Sequence, residues 1–586
     1  GVWSMTRKGT EVQGEDVIIG VVDGGFQPEN SSFYDQVDAN GRPVNSGGTL
    51  AYGPPPAGWS GACVAGPGFD PAKHCNNKVI GARAFDASFK AAGVKPAWYE
   101  FIGSPRDVTG HGSHTSSTAG GNWNADAISH TQNLGPISGM APRARLAHYK
   151  ICWSWLDTLA FANNCWTGDS VAAIDQAVAD GVDVINFSVS GSQTDLLDPV
   201  EVAFLNAATA GVFVAASAGN SGPGTAVAHP SPWLTTVAAS THGRFLMADT
   251  TTGEGNTYHG ASQSKGLPLT NMVLSTDVAS TSIENARLCK INSLNPAKVE
   301  GKIVVCDRGT TARVEKSQVV AEAGGVGMIL LNTPAGLPGG GSTTLNDDAH
   351  WVPTVHLPVE HRDAIRTYAA GSKAKADMGV AALEPGVPAP VMAEFSSRGP
   401  NMATPSVMKP DITAPGVAVL AAYSVAQPSQ AYHDGVIDGS IVPGPVAEFL
   451  DGTSMSGPHI AGLAALVKQK HPNYWGPASI KSALMTSAGP VKLADGSPDN
   501  AFKGYGAGHV NPNAALDSGL VYPLDPTDYW RYLCGLGTLA AGSPTCQSVG
   551  SIPATDLNLA SFSADVPGVI TFRRTVRNLG NTRVTY

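Results

Sequence analysis

Charged side chains are scarce in this sequence. Asp, Glu, Lys and Arg make up 14% of its 586 residues, against about 25% in an average globular chain. No stripe of Lys and Arg stands against the formal net charge of −10. Nucleic acid, whose phosphates need basic surfaces, is therefore excluded as a partner class. No apolar run approaches the roughly 18 residues of a membrane span, so no membrane partner is expected. Gly1 opens no leader pattern of a charged segment followed by an apolar one. There is no long block of like charge and no repeat at a period of about 20–50 residues, which sets aside interaction tails and solenoids. No two cysteines are spaced Cys-x-x-Cys, which argues against zinc and thioredoxin-type sites.

What remains is a folded, loop-rich chain. Hydrophobic residues reach 42%, enough for a sizeable core. Gly (68) and Pro (42) together make about a fifth of the chain, below the ~25–30% that signals disorder. The length suggests several domains at ~150 residues each, although a large α/β core can use twice that alone. The eight cysteines fall in local couples: Cys63 with Cys75, Cys152 with Cys165, Cys289 with Cys306, and Cys534 with Cys546. Formally many pairings exist. An even number in close couples suggests four disulfides and an oxidising, extracellular compartment.

Apolar runs and caps alternate from the start. Val17–Val22 is a continuous run ending at Asp23-Gly24-Gly25, which predicts a buried parallel strand and a turn. Strands are predicted at Arg145–Ile151, Val182–Ser188, Val212–Ala216 and Leu234–Ala239. Helices fall between them at Ser170–Ala179, capped by Asp169 or Ser170, and at Pro199–Ala210. This rhythm is α/β with a parallel sheet, whose ligands gather at the carboxyl ends of the strands. From about Lys265 the rhythm changes. Strands are predicted at Lys302–Cys306, Val326–Leu331 and Val352–Leu357, and helices at Ala312–Ala323 and Val359–Ala370. A glycine loop lies at 336–341, and a Pro-rich linker at 385–390. The segment 265–390 thus reads as an insertion, because α/β motifs resume after it. They include a long apolar helix at Ser454–Lys470 and another at Pro477–Ser487. Past about 520 short alternating runs predict a β-sandwich, incomplete at the end of the chain, with a strand at Val569–Val576.

Three segments carry chemistry. Asp23 ends a buried strand. His111 lies in Thr109-Gly110-His111-Gly112-Ser113-His114. Ser454 lies in Gly452-Thr453-Ser454-Met455-Ser456, where a helix starts. A nucleophilic Ser needs a base, and the base needs a carboxylate to orient it. A helix N-terminus aims backbone N–H and positive dipole at developing negative charge. Each segment alone has a bland structural explanation as a turn, a helix-start or a cap. Together, the order Asp, His, Ser is the subtilisin order. The chain resembles the subtilisin-like serine peptidases, or subtilases, and within them the plant cucumisin-like branch and its secreted bacterial homologues. Val21–Gly25, His111–His114, Gly452–Ser456 and Ala218-Gly219-Asn220 carry the family match. Cys152-Trp153, Ala177–Val184 and Gly301–Cys306 carry the narrower one.

The resemblance implies Asp23, His111 and Ser454 as the catalytic triad. It implies the Asn220 amide and the Ser454 backbone as the oxyanion hole. Ser188-Val189-Ser190-Gly191 would pair with the substrate backbone, and Ser217-Ala218-Gly219 would line the other side of the first specificity pocket. The small residues there favour large apolar P1 side chains. The implied organisation is a catalytic domain at 1–264 and 391–520, a protease-associated (PA) domain at 265–390 and part of a fibronectin-type-III-like sandwich at 521–586. Implied partners are protein and peptide substrates, an inhibitory N-terminal propeptide removed from a mature chain, and a second copy through the PA domain. No cofactor is implied; structural calcium occurs in the family, but no ligand set stands out here. Asp347-Asp348 is read as a solvated turn, because two adjacent carboxylates do not make a calcium site. Of two Asn-x-Ser patterns, Asn186 lies on a buried strand, while Asn30 is a glycan candidate.

The sequence departs from the family twice. Gly24 stands where a hydroxyl residue usually follows the catalytic Asp, which predicts looser hydrogen bonding of Asp23. Gly457 stands where the plant branch has Cys, a packing change beside the nucleophile. An α/β-hydrolase esterase would need Gly-x-Ser-x-Gly and the order Ser, Asp, His, and both fail. The alternative from another class is an inactive, subtilase-like binding protein.

Overall fold

The structure, a computed structural model, describes residues 1–586 except 130–131, 158–159, 338–339, 385–387, 426, 473–475, 566–567, 580–582, 584 and 586. Half of the Pro-rich linker 385–390 and part of the glycine loop at 336–341 therefore lie outside the described residues. The chain divides into two units. One comprises residues 1–128, 133–241 and 390–586, and the other 129–132 and 242–389.

The first unit is built on seven parallel strands: β1 (Ile18–Asp23), β2 (Val79–Ala84), β3 (Arg145–Lys150), β4 (Val184–Phe187), β5 (Phe213–Ser217), β6 (Thr235–Ser240) and β7 (Ile412–Pro415). Their spatial order is β7-β6-β5-β4-β1-β3-β2. From β1 the chain runs to the edge strand β2, returns to β3 between them, and then crosses to β4, from which it builds outward through β5, β6 and β7. The order therefore reverses between β1 and β4, the place where such sheets bind ligands. Alternate residues face opposite ways. Ile19, Val21, Val184 and Phe213 pack in one core with Ile460 and Leu463. Ile18, Val22, Ile185 and Val214 pack in the other with Ile174 and Phe204. Helices α1 (His111–Gly120) and α4 (Thr453–Lys470) supply the first layer, α2 (Thr167–Asp180) and α3 (Pro199–Thr209) the second, and α5 (Pro477–Thr486) follows α4.

Several local expectations change. Helix α2 begins at Thr167, not Ser170. Asp169 is turned away from its own helix and accepts the backbone N–H groups of Ser88 (2.8 Å) and Phe89 (3.1 Å), at the start of the short helix Ala87–Ala91. A hairpin of Cys152–Asp157 with Ala160–Cys165 was not legible in the sequence. Asn30, the glycan candidate, is 1% exposed. Its amide donates to Val446 O (2.8 Å) and its oxygen accepts from Ser32 N (3.0 Å), so it is a buried cap. The predicted strand at Val569–Val576 is not formed. Among the described residues of this segment only Arg577–Asn578 pair, with Leu520–Val521, and helices occupy Pro526–Gly535 and Pro544–Val549. Alternating apolar residues make a strand only where a neighbouring strand takes up their backbone groups.

The second unit has its own mixed sheet of eight strands, centred on Ile303–Asp307, Gly327–Leu331 and Thr354–Leu357. The strands Leu246–Thr251 and Thr257–Ala261, which precede residue 265, belong to this sheet. Asp347 and Asp348 are buried, not solvated. Arg313 pairs with Asp348 (2.9 Å), and Asp347 accepts from Leu246 N (3.0 Å). Burial without such partners would cost several kcal/mol per carboxylate, so the sequence pattern of two adjacent acids was misleading. The cysteines form four disulfides, 63–75, 152–165, 289–306 and 534–546, with none free.

Candidate active site

The site grows from the carboxyl ends of β1, β4 and β5 and the N-termini of α1 and α4. Asp23, the last residue of β1, is 1% exposed. Its Oδ1 lies 2.7 Å from His111 Nδ1. A carboxylate only accepts, so Nδ1 carries the proton and Nε2 is left as the basic nitrogen. Asp23 Oδ1 also accepts Gly24 N–H (2.6 Å), and Oδ2 accepts the Thr115 hydroxyl (3.1 Å). The expected loosening at Gly24 is therefore absent, because the Gly24 backbone and Thr115 hold the carboxylate.

His111 is the first residue of α1. Gly110 before it has φ +80°, and a Cβ there would lie 2.1 Å from the Tyr423 ring. Only glycine brings the chain into the helix at this point. Asp107 serves as the cap that Gly110 lacks. Its carboxylate accepts Thr109 N–H and Gly110 N–H, each at 3.0 Å, and Ser113 N–H and hydroxyl, each at 2.8 Å. Burial pushes the Asp107 carboxyl up, and the Ser113 bonds pull against that. Burial alone would lower the His111 pKa; attraction to the Asp23 carboxylate, its hydrogen bond and the charge of Asp107 more than offset this and raise it. The second histidine of the motif is structural. His114 Nε2 donates to Val419 O (2.8 Å), and burial pushes its pKa down to about 3.

Ser454 is the second residue of α4 and is 9% exposed. Its hydroxyl donates to Ser188 O (3.1 Å) rather than to the His111 ring. Four residues on stands Pro458, inside the helix. Proline has no N–H to give back to Ser454 O. The Ser188 hydroxyl donates to that carbonyl instead, at 2.8 Å. Ser188 thus bridges the end of β4 to the first turn of α4. Beneath it, Asn186 Nδ2 donates to the Ser188 hydroxyl (3.1 Å). A Cβ at Gly457 would meet Asn186 Oδ1 at 3.4 Å, an acceptor with no hydrogen-bond partner among the described residues.

Asn220 lies three residues beyond β5. Its Oδ1 accepts both the backbone N–H and the hydroxyl of Thr453, each at 2.9 Å. The carboxamide oxygen is thereby committed to the helix start, and Nδ2 is left as a donor on its other side. Thr453 Oγ1 in turn accepts Gly219 N–H (3.1 Å). Asp107, Thr115, Thr453 and the Ser188 hydroxyl were missed in the sequence. For Asp107 a signal existed, an acid with Thr two residues and Ser six residues later, just ahead of a helix.

Ser188 is buried, Val189 and Gly191 are half-buried, and Ser190 is exposed. Ser217 closes β5, and Ala218 and Gly219 follow it toward Asn220. Among the described residues, no three His, Cys, Asp or Glu side chains come together as a metal site. No helix of the described residues is long and apolar enough to cross a membrane.

Residues 14–508 match the subtilase family profile of peptidases. The chain is 40% identical over 612 residues to the subtilisin-like protease SBT1.4 of Arabidopsis thaliana, covering 99% of this chain and 73% of that one. It is 39% identical over 590 residues to SBT1.7 of the same plant, covering 96% and 73%. With its parallel α/β sheet and the Asp, His and Ser segments at the ends of β1, α1 and α4, the chain belongs to the subtilase family of serine proteases.

Proposed function

We propose that the chain is a secreted endopeptidase working through Asp23, His111 and Ser454. The Ser454 hydroxyl turns from Ser188 O to His111 Nε2, gives up its proton and attacks the scissile carbonyl. Asp23 holds the Nδ1–H tautomer and stabilises the imidazolium. Asn220 Nδ2 and the Ser454 backbone N–H, at the positive end of α4, take the oxyanion. His111 then protonates the leaving amine, and water hydrolyses the acyl-enzyme by the reverse route. The observation that carries this reading is the 2.7 Å Asp23–His111 bond, which fixes the tautomer a base requires.

Substrate backbone would pair with residues 188–191, and Ser217, Ala218 and Gly219 would form the opposite wall. Main-chain pairing tolerates many sequences, which suits broad protein substrates. The small wall leaves room for a large apolar P1 side chain, to be read from a peptide-library cleavage profile. Secretion is supported by the four disulfides, which persist in oxidising compartments. The inserted 265–390 segment is assigned as a PA domain, and sedimentation tests dimerisation through it. A propeptide is the proposed natural inhibitor. The deciding experiment is labelling with a fluorophosphonate. The wild type should label and hydrolyse peptides, and Ser454→Ala should do neither while unfolding at the same temperature. Turnover by Ser454→Ala near the native rate would end this reading.

A further inference from the structure

A histidine and a glutamate with no part in the chemistry above sit completely buried behind the proposed substrate strand. His229 and Glu201 each have side chains 0% exposed, with His229 Nδ1 2.6 Å from Glu201 Oε1. The other ring nitrogen, Nε2, lies 2.8 Å from Val189 O. A carbonyl oxygen only accepts, so Nε2 carries a proton and donates it there. This holds wherever the proton between Nδ1 and Glu201 lies, and the pair is neutral overall in either arrangement. Neutrality is what makes complete burial of such a pair tolerable.

The pair touches the substrate strand at more than one point. His229 N–H donates to Ser192 O (2.8 Å), so one residue holds the segment at both 189 and 192. Between those anchors Gly191 packs against the ring. A Cβ at 191 would come within 2.3 Å of His229 Cε1. The neighbouring Ala228 N–H donates to Ala218 O (2.9 Å), the opposite wall of the proposed pocket. Residues 228 and 229 therefore join both walls. Phe187 and Phe204 hold the ring edge-on at 5.6 and 5.8 Å, and the Thr236 hydroxyl donates to His229 O (2.7 Å). His229 itself has φ +57°. A non-glycine residue keeps that conformation only where its surroundings over-determine it, and such positions gather at functional sites.

We propose that His229 and Glu201 are positioning residues for extended peptide substrates. They form an internal clamp that fixes the 188–191 strand against the 217–219 wall, so that several residues on the acyl side of the scissile bond pair in register. The inference rests on the assignment of 188–191 as the substrate strand. A structural role alone would affect all substrates alike. A clamp on the strand affects only those long enough to pair with it.

The test compares a tetrapeptide anilide with a single-residue acyl ester and with fluorophosphonate labelling, in the full chain. His229→Leu with Glu201→Leu removes the donor to Val189 O without leaving a buried charge. It should raise KM for the tetrapeptide about tenfold, the scale of one lost hydrogen bond. Its kcat, ester hydrolysis and labelling rate should stay within about twofold. His229→Gln with Glu201→Gln keeps a donor at that place and should hold the tetrapeptide KM near the wild-type value. An unchanged tetrapeptide KM in the Leu pair overturns the proposal. So does a folded Gln pair with a tenfold rise, which keeps the test decisive should the Leu pair fail to fold. Ser190→Pro tests the underlying assignment separately, by removing a strand N–H. If it leaves the tetrapeptide KM unmoved, the strand assignment falls; if it raises KM while the Leu pair does not, only the clamp falls.

Discussion

At the scale of single residues, the Asp23–His111 pair has a consequence in pH. The His111 pKa is raised by Asp23 against the pull of burial, and the ring works as a base only when neutral. The acid limb of kcat/KM should therefore have its midpoint above the unperturbed value of about 6.5. The same shift ties stability to pH. The paired imidazolium stabilises the fold below the unfolded pKa, and that contribution is lost as pH rises through the raised one. Asp23→Asn should move the limb to lower pH and reduce kcat about 10⁴-fold; a pH–rate profile with the limb unmoved would separate Asp23 from His111. Asn220 makes a second test. An interaction formed only with the oxyanion changes kcat and not KM. Asn220→Ala should lose about 10²–10³ in kcat, a magnitude carried over from the corresponding donor of subtilisin. A loss confined to KM in steady-state kinetics would return Asn220 to a turn role. These residues were legible because each stands at the end of an element with a local signal. Their supports were not: Thr453 is 233 residues from Asn220 and Ser188 is 266 from Ser454. No local pattern reports such pairs.

At the scale of elements, the buried strands and the long apolar helix were legible because a parallel sheet covered on both faces leaves continuous apolar runs. Boundaries slipped where a side chain served a neighbour, as Asp169 does. The hairpin at 152–165 was hidden because the spacing of Cys152 and Cys165, which face each other across it, fits any short loop as well as a hairpin. Helix α4 offers the sharpest test at this scale. Pro458 withholds a hydrogen bond from Ser454 O, and Ser188 replaces it from another strand. Ser188→Ala should leave a buried carbonyl short of a donor and cost about 1–3 kcal/mol. With Pro458→Ala the helix regains its own N–H for that carbonyl. Ser188→Ala should then cost much less in the Pro458→Ala background, a coupling that a double-mutant cycle in urea unfolding measures. Equal costs in both backgrounds would show that the two donors do not share the carbonyl.

At the scale of the whole molecule, the two units invite separate accounts of stability and activity. The second unit carries cores of its own, Ile303, Val305, Ile329 and Val355 in one and Val304, Met328 and Leu330 in another. The change of rhythm near residue 265 made an insertion legible, whereas the pairing of Leu246 with Leu383 and of Ala261 with His356 had no local sign. The 289–306 disulfide lies wholly in this unit and closes a loop of sequence separation 17. In the chain-entropy account, such a crosslink removes roughly 3 kcal/mol of freedom from the unfolded chain. None of the proposed catalytic or oxyanion residues belongs to this unit. Replacing both Cys289 and Cys306 by Ala should therefore lower the temperature of one calorimetric transition. Activity on a short peptide, measured below that transition, should stay within about twofold of wild type. A parallel fall in kcat at temperatures where both units remain folded would mean that the integrity of the second unit governs the chemistry of the first.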